Sequence, residues 1–421
     1  MVKRLFAIVF IFGCTSLGWM ILGATIWNRT NSAGARTRGS VQSIWGTAQT
    51  QMAPRAEFTV AVPYQEAIEE KGVKRIVEKT RDQVYTLRPA SSDVAAGVNL
   101  AHRQKGLLWY STYEVIFRGD YEFTNRDAVM RKLTVTLPFP ASKAMYDDLQ
   151  FLVNGEPANV ATGEAGASVD TGVDAHQTVK VHVAYKSQGL DSWRYGFGPD
   201  VNQVANFHLR LTTNFKDIDF PDNSLAPSEK REFGDGWILD WNYKNLLSGY
   251  QIALIMPDKL QPGPLAAEIS CFAPVSLFFF FFVLFLITTL RSLELHPMNY
   301  FFLAGAFFAF HLLLAYLVDH VDIRLAFAVA SAVSVFLVVT YLRVVIGAQF
   351  AIREAALAQF LYLVLFSFAF FFKGFTGLAV TIGSIVTLFV AMQMTGGIRW
   401  SDRFGVPDGG AMPPPLPGAS R

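Results

Sequence analysis

The stretch that decides the fold is Ser270-Cys-Phe-Ala-Pro-Val-Ser-Leu-Phe-Phe-Phe-Phe-Phe-Val-Leu-Phe-Leu-Ile-Thr-Thr-Leu290. It holds no charged residue. At about 1.5 Å of rise per residue, a helix of this length crosses the roughly 30 Å hydrocarbon core of a bilayer. Four more apolar runs follow, at about 300–318, 323–341, 356–372 and 376–394, the last two separated only by Lys373 to Phe375. Working back to the start of the chain, Leu5–Trp27 is also free of charge and follows Lys3 and Arg4. A cleaved signal peptide would need a shorter apolar core and a small-residue cleavage site, which Leu22-Gly23-Ala24 fits poorly. The reading is an uncleaved signal anchor, and six membrane helices arranged one plus five.

Composition agrees. Of 421 residues, 52% are hydrophobic and 17% charged, against about 25% charged in a soluble domain. Lys and Arg number 36 and Asp and Glu 34, for a net charge of +2, with no basic tract. That sets aside a nucleic-acid partner, which would need a basic stripe with interleaved aromatics. Cys14 and Cys271 are the only cysteines and both lie in apolar segments, so neither a disulfide framework nor zinc-ligand spacing can be built from them. No metal and no cofactor is expected.

Between Asn28 and Glu268 the composition turns polar and period-two alternation recurs. Tyr113, Val115 and Phe117 alternate with Glu114, Ile116 and Arg118, and Leu133, Val135 and Leu137 with Thr134 and Thr136. The same holds for Val181, Val183 and Tyr185, for Phe207, Leu209 and Leu211, and for Trp237, Leu239 and Trp241. Asn154-Gly155 after Phe151-Leu152-Val153 predicts a hairpin turn. Many half-buried strands predict an antiparallel β domain, sandwich-like. Glu66 to Arg81, with Ala67, Val73 and Ile76 among charges, reads as helical. The fold class expected is therefore an α+β integral membrane protein. Its parts are a signal-anchor helix (1–28), a periplasmic β-rich domain (29–268), a five-helix transmembrane module (269–396) and a cytoplasmic Pro-rich tail (397–421).

Orientation follows from the short loops. Arg291, Arg343, Arg353, Arg399 and Arg403 lie on one side, against Arg324 and Lys373 on the other, where Asp319 and Asp322 also fall. The basic side is cytoplasmic, which puts both termini inside and the β domain outside. Arg29, Arg36 and Arg38 just after the first span run against this, but long domains translocate with little regard to charge.

The segment Val41-Gln-Ser-Ile-Trp-Gly-Thr-Ala-Gln-Thr50, with Ala53-Pro54 and Val62-Pro63-Tyr64, resembles the opening of the CreD family of bacterial inner-membrane proteins. Further matches fall in the same order: Arg103-Gln-Lys-Gly106, Gly119 to Phe123, Gly236-Trp237 and Trp241. His296-Pro297-Met-Asn-Tyr300, Tyr341-Leu342-Arg343 and Arg399-Trp400 continue the series, so the resemblance covers about residues 41 to 400. Departures are Ala53 in place of Gly, Asn214-Phe215 without a Trp in the later β segment, and a shorter outer domain. The resemblance implies an envelope-integrity protein linked to β-lactam stress and colicin sensitivity, and it implies no enzymatic activity.

His311 falls near the middle of the third span, where an ionisable group is costly and is turned inward toward a partner. It is a candidate proton-responsive or polar coupling site; the plainer reading is a neutral imidazole bonded to a neighbouring helix's Ser or carbonyl. Asp319, His320 and Asp322 could meet a cation, but a solvated loop explains them more simply. Arg353 and Glu354 read as an interfacial pair, and Lys373 as a side chain reaching for the interface. Phe278 to Phe282 reads as a helix greasy all round. Ala326, Ala330 and Ser334, four apart, predict close helix packing.

In the β domain His182 and His208 read as solvated, His102 and His176 as loop residues, and Trp237 and Trp241 as core. Trp45 reads as a linker residue that docks onto the domain or a partner. No hydrolase elbow, SxxK, HExxH or P-loop appears in the sequence. The leading expectation is a non-enzymatic envelope protein whose outer domain senses or braces the envelope. It is surrounded by lipid and works with other envelope proteins or with itself. The alternatives are a transporter subunit with His311 in the path and, least supported, a membrane-bound hydrolase.

Overall fold

The computed structural model describes residues 2–70, 73–142, 144–164, 166–198, 202–372 and 374–396. Lys373 and the tail at 397–421, with Arg399 and Arg403, lie outside them. The chain forms two compact units. A helical unit takes Met1–Gly34, Gly106–Leu108 and the chain from Leu260, and a β unit takes Ala35–Lys105 and Trp109–Lys259.

One helix, α1 (Val2–Trp45), supplies residues to both. The helix that holds the expected anchor therefore runs on past residue 28. Loss of hydropathy marks where hydrocarbon ends, and the polar stretch from Asn28 to Trp45 holds no proline to stop a helix. Trp45 is its last residue, not part of an extended linker.

The strands of the β unit begin with β1 (Gln49–Met52), β2 (Arg55–Glu70), β3 (Val73–Leu87), β4 (Ser91–Lys105), β5 (Leu108–Thr124) and β6 (Arg131–Leu137). Next come β7 (Tyr146–Val153), β8 (Glu156–Pro157), β9 (Ala161–Gly163), β10 (Gly166–Val173) and β11 (Thr178–Leu190). Last are β12 (Ser192–Gly196), β13 (Asn202–Thr213), β14 (Glu229–Phe233), β15 (Gly236–Ser248) and β16 (Ile252–Ile255). They make three sheets, ordered β1-β12-β16, β3-β2-β6-β10-β9 and β14-β15-β13-β4-β5-β11-β7-β8. Pairing is antiparallel except for the parallel ladders β1–β12 and β13–β4.

Alternation in the sequence becomes burial. Tyr113, Val115 and Phe117 on β5, Leu133, Val135 and Leu137 on β6, and Phe207, Leu209 and Leu211 on β13 enter one apolar core shared by the three sheets. Between β7 and β8, Asn154 and Gly155 take φ of 53° and 88°, the pair of left-handed conformations that a two-residue hairpin requires. The helical reading of Glu66–Arg81 is corrected: its described residues, 66–70 and 73–81, belong to the β2–β3 ribbon, paired from Ala56–Leu87 to Glu70–Val73. Only Arg55–Glu57 reach β6, so most of the ribbon has no buried face to impress period two on its residues.

The helical unit continues with α2 (Pro262–Cys271), α3 (Ala273–Leu290), α4 (Pro297–Leu317), α5 (Ile323–Val345), α6 (Ala348–Phe371) and α7 (Thr376–Thr395). Among the described residues six helices, all but α2, are long and apolar enough to cross a membrane. The helical unit takes in the chain from Leu260, ahead of the expected boundary at 268. Pro262 opens α2, which buries Leu265, Ala266, Ala267 and Ile269 among the helices. Close approach sets the small residues here: a Cβ on Gly23 of α1 would lie 2.5 Å from Cys271 Sγ. Ala326, Ala330 and Ser334 of α5 are fully buried. Within α6, Ala351–Ala355 and Phe360–Leu365 are π-helical turns.

Candidate functional site

His311 of α4 is 1% exposed. Its ring stands edge-on to Trp19 of α1 at 5.8 Å and to Phe310 at 4.8 Å. Nδ1 and Nε2 of His311, and Nε1 of Trp19, have no hydrogen-bond partner among the described residues. The bond to a serine or carbonyl anticipated for the imidazole is therefore not formed. The serine that does bond across helices is Ser334, whose Oγ donates to Ala306 O at 2.7 Å and accepts from Gln359 Nε2 at 2.8 Å. Trp19 was not singled out in the sequence, although an indole N–H at mid-span is itself a signal, since it carries a donor into hydrocarbon.

The charged groups at the helix ends have structural partners. Arg29 pairs with Asp319 at 3.2 Å and donates to Ala315 O at 3.0 Å, which holds the far end of the apolar part of α1 against α4. Asp322 caps α5 by accepting from Arg324 N at 2.9 Å. Among the described residues, no group of three His, Cys, Asp or Glu is arranged to hold a metal. Glu354 does not pair with Arg353, as adjacency suggested. Its partner is Arg291, at 2.6 Å, because neighbours in a helix point to different sides.

In the β unit the histidines expected to be solvated are held by carboxylates. His182 Nδ1 meets Asp120 at 2.8 Å, and His208 meets Asp93 at 2.7 Å and Asp240 at 3.3 Å. Asp240 is the centre of this cluster, 9% exposed, and also accepts from Arg210 Nε and Arg231 Nη2 at 2.8 Å each. Burial alone would raise its carboxyl; the hydrogen bonds from Arg210 and Arg231 outweigh burial and hold it below the ordinary value. Trp241 is core, 1% exposed, while Trp237 is half-buried beneath Lys230. Trp45 carries the Arg103 guanidinium 3.9 Å from its ring centroid and Arg38 pairs with Asp191, so the last turns of α1 are fastened to β4 and to the start of β12. Burial pushes the Asp191 carboxyl up, and Arg38 draws it part of the way back.

A family model described as inner membrane protein CreD matches residues 1–401. The chain belongs to the CreD family. The six apolar helices described above fit a multi-pass inner membrane protein of this family. No curated protein matches the chain. Among solved structures, a candidate nutrient binding protein from Legionella pneumophila is similar at 11% identity and TM-score 0.30, over 46% of this chain and 74% of that one. An M1 zinc metallopeptidase from Deinococcus radiodurans is similar at 12% identity and TM-score 0.24, over 41% of this chain and 42% of that one. Similarities this low carry no argument about this CreD-family protein's activity.

Proposed function

We propose that this CreD-family protein is a non-enzymatic envelope-integrity protein of the inner membrane. The β unit lies in the periplasm, both termini lie in the cytoplasm, and the β unit senses or braces the envelope. Its partners are the surrounding lipid and other envelope proteins or a second copy of itself. The observation that carries the coupling is α1. Ile8, Trp19 and Ile26 of this one helix are buried in the helical unit's core, and Arg38 and Trp45 are fastened within the β unit.

The test is survival of a deletion strain under β-lactam and detergent stress, with membrane insertion matched between variants. Wild type restores survival; a chain lacking residues 40–265, and one with two glycines inserted after Gly34, do not. Full rescue by the glycine insertion overturns coupling through α1, and absence of any deletion phenotype overturns the envelope role. The unpartnered ring of His311 supports one alternative, a transport path through the bundle. Under that reading His311→Leu abolishes rescue while the protein still folds; under ours it rescues.

A further inference from the structure

A groove of about 720 Å³ runs between α3, α6 and α7 in the helical unit. Its lining is apolar over nearly its whole length, with Leu361, Leu365 and Val386 between 40% and 54% exposed. In an inner membrane protein such a surface faces hydrocarbon, and its volume is that of a ligand site. Half of the residues that α6 gives to the lining, Arg353, Glu354, Leu361, Tyr362 and Leu365, lie in the two π-helical turns, a geometry whose wider turn re-aims side chains and recurs at functional sites. Tyr362 in the second turn bonds Thr387 of α7 at 2.9 Å. Gly383 lines the same wall, and a Cβ there would meet nothing within 4 Å.

At one end the apolar lining gives way to Arg353 and Glu354. Glu354 spends its Oε1 on Arg291, while Oε2 is buried without a hydrogen-bond partner. Among the described residues Arg353 has no ion pair and is exposed. Arg291, Glu354 and Arg353 together leave one net positive charge at the head of a hydrophobic groove, with Arg353 exposed. The complement is an anion that ends in a long hydrocarbon chain.

We propose that this groove binds an anionic glycerophospholipid of the surrounding membrane. One acyl chain lies between α6 and α7, and the phosphate rests on Arg353. Phosphatidylglycerol carries the net negative charge that phosphatidylethanolamine and phosphatidylcholine lack. This assignment is independent of the envelope role.

The experiment is native mass spectrometry of the full chain in detergent, titrated with each of these three lipids. Wild type is expected to retain phosphatidylglycerol over both others by about fivefold, the factor one arginine near an anionic headgroup is worth. Arg353→Gln brings phosphatidylglycerol down to the level of phosphatidylethanolamine. Gly383→Phe fills the open wall and lowers retention with an unchanged melting temperature. Arg324→Gln, at the start of α5 and outside the groove, retains phosphatidylglycerol as wild type does. Equal retention of the three lipids by wild type would mean an ordinary lipid annulus and would overturn the assignment. So would equal losses in Arg324→Gln and Arg353→Gln, or undiminished binding by a folded Gly383→Phe.

Discussion

Replacing His311 by leucine is expected to make the protein more stable. A polar atom buried without a partner costs about 1–3 kcal/mol, and both ring nitrogens of His311 are in that position. The edge contacts to Trp19 and Phe310 return about 0.5–1.5 kcal/mol, which leucine forfeits. In a membrane the separated helices also hold the imidazole in hydrocarbon, so only part of the penalty appears as folding free energy. The balance favours His311→Leu by about 1 kcal/mol, a rise of roughly 2–4 °C in Tm. The assay is thermal unfolding of the full chain in detergent, with wild type and variant in the same micelle. A lower Tm for His311→Leu would refute the reasoning, because it would mean that the imidazole has a bonding partner in the folded protein.

Asp240→Asn should cost about 1 kcal/mol or less at neutral pH, because Arg210 and Arg231 remain half exposed and regain water. Asp240 is held below its ordinary pKa, so its stabilisation is present above the unfolded value, about 3.9, and is lost as pH falls through the folded one. Wild type and Asn variant therefore converge in Tm in acid; a constant gap down to the lowest pH would contradict this. Gly166→Ala should destabilise the β unit by roughly 2 kcal/mol or more, since φ is +131° and the new Cβ would lie 2.0 Å from Leu137 O. An unchanged denaturation midpoint would show that the start of β10 shifts freely. Trp45→Ala should cost about 0.5–1 kcal/mol through loss of the Arg103 contact, with Trp45→Phe recovering part of it in the same melt; a loss that phenylalanine does not reduce would assign the effect to packing.

What was legible in the sequence was what one periodicity could carry. Leu209 and Leu211 alternate with Arg210 because one face of β13 meets the core, and both are fully buried. The apolar runs were legible because hydrocarbon demands length and greasiness together. Residues 29–45 escaped because helix and hydropathy part company there: Arg29, Arg36 and Arg38 end the greasy run while the helix goes on. Glu66–Arg81 misled because Ala67, Val73 and Ile76 fit a helical repeat by chance, and a ribbon exposed on both faces offers no competing pattern. The depth of His311 could be read, but not its neighbour Trp19, nor Arg291 as the partner of Glu354. Those contacts are decided by which helices pack together, and no local pattern encodes that.

The β2–β3 ribbon has a mechanical consequence. Past Glu57 β2 has no sheet neighbour but β3 among the described residues, over a length of about 40 Å at ~3.4 Å per residue. Lys79 and Glu66 form a rung across it at 2.7 Å, and Ile76 and Val84 stand 67% and 59% exposed. A two-stranded ribbon in water is marginally stable, whereas Phe58 and Leu87 near its base pack against the β core. Its outer amides therefore exchange hydrogen with solvent as a separate, weakly protected unit. A load taken up along the ribbon is expected to bend and twist it before it disturbs the sheets.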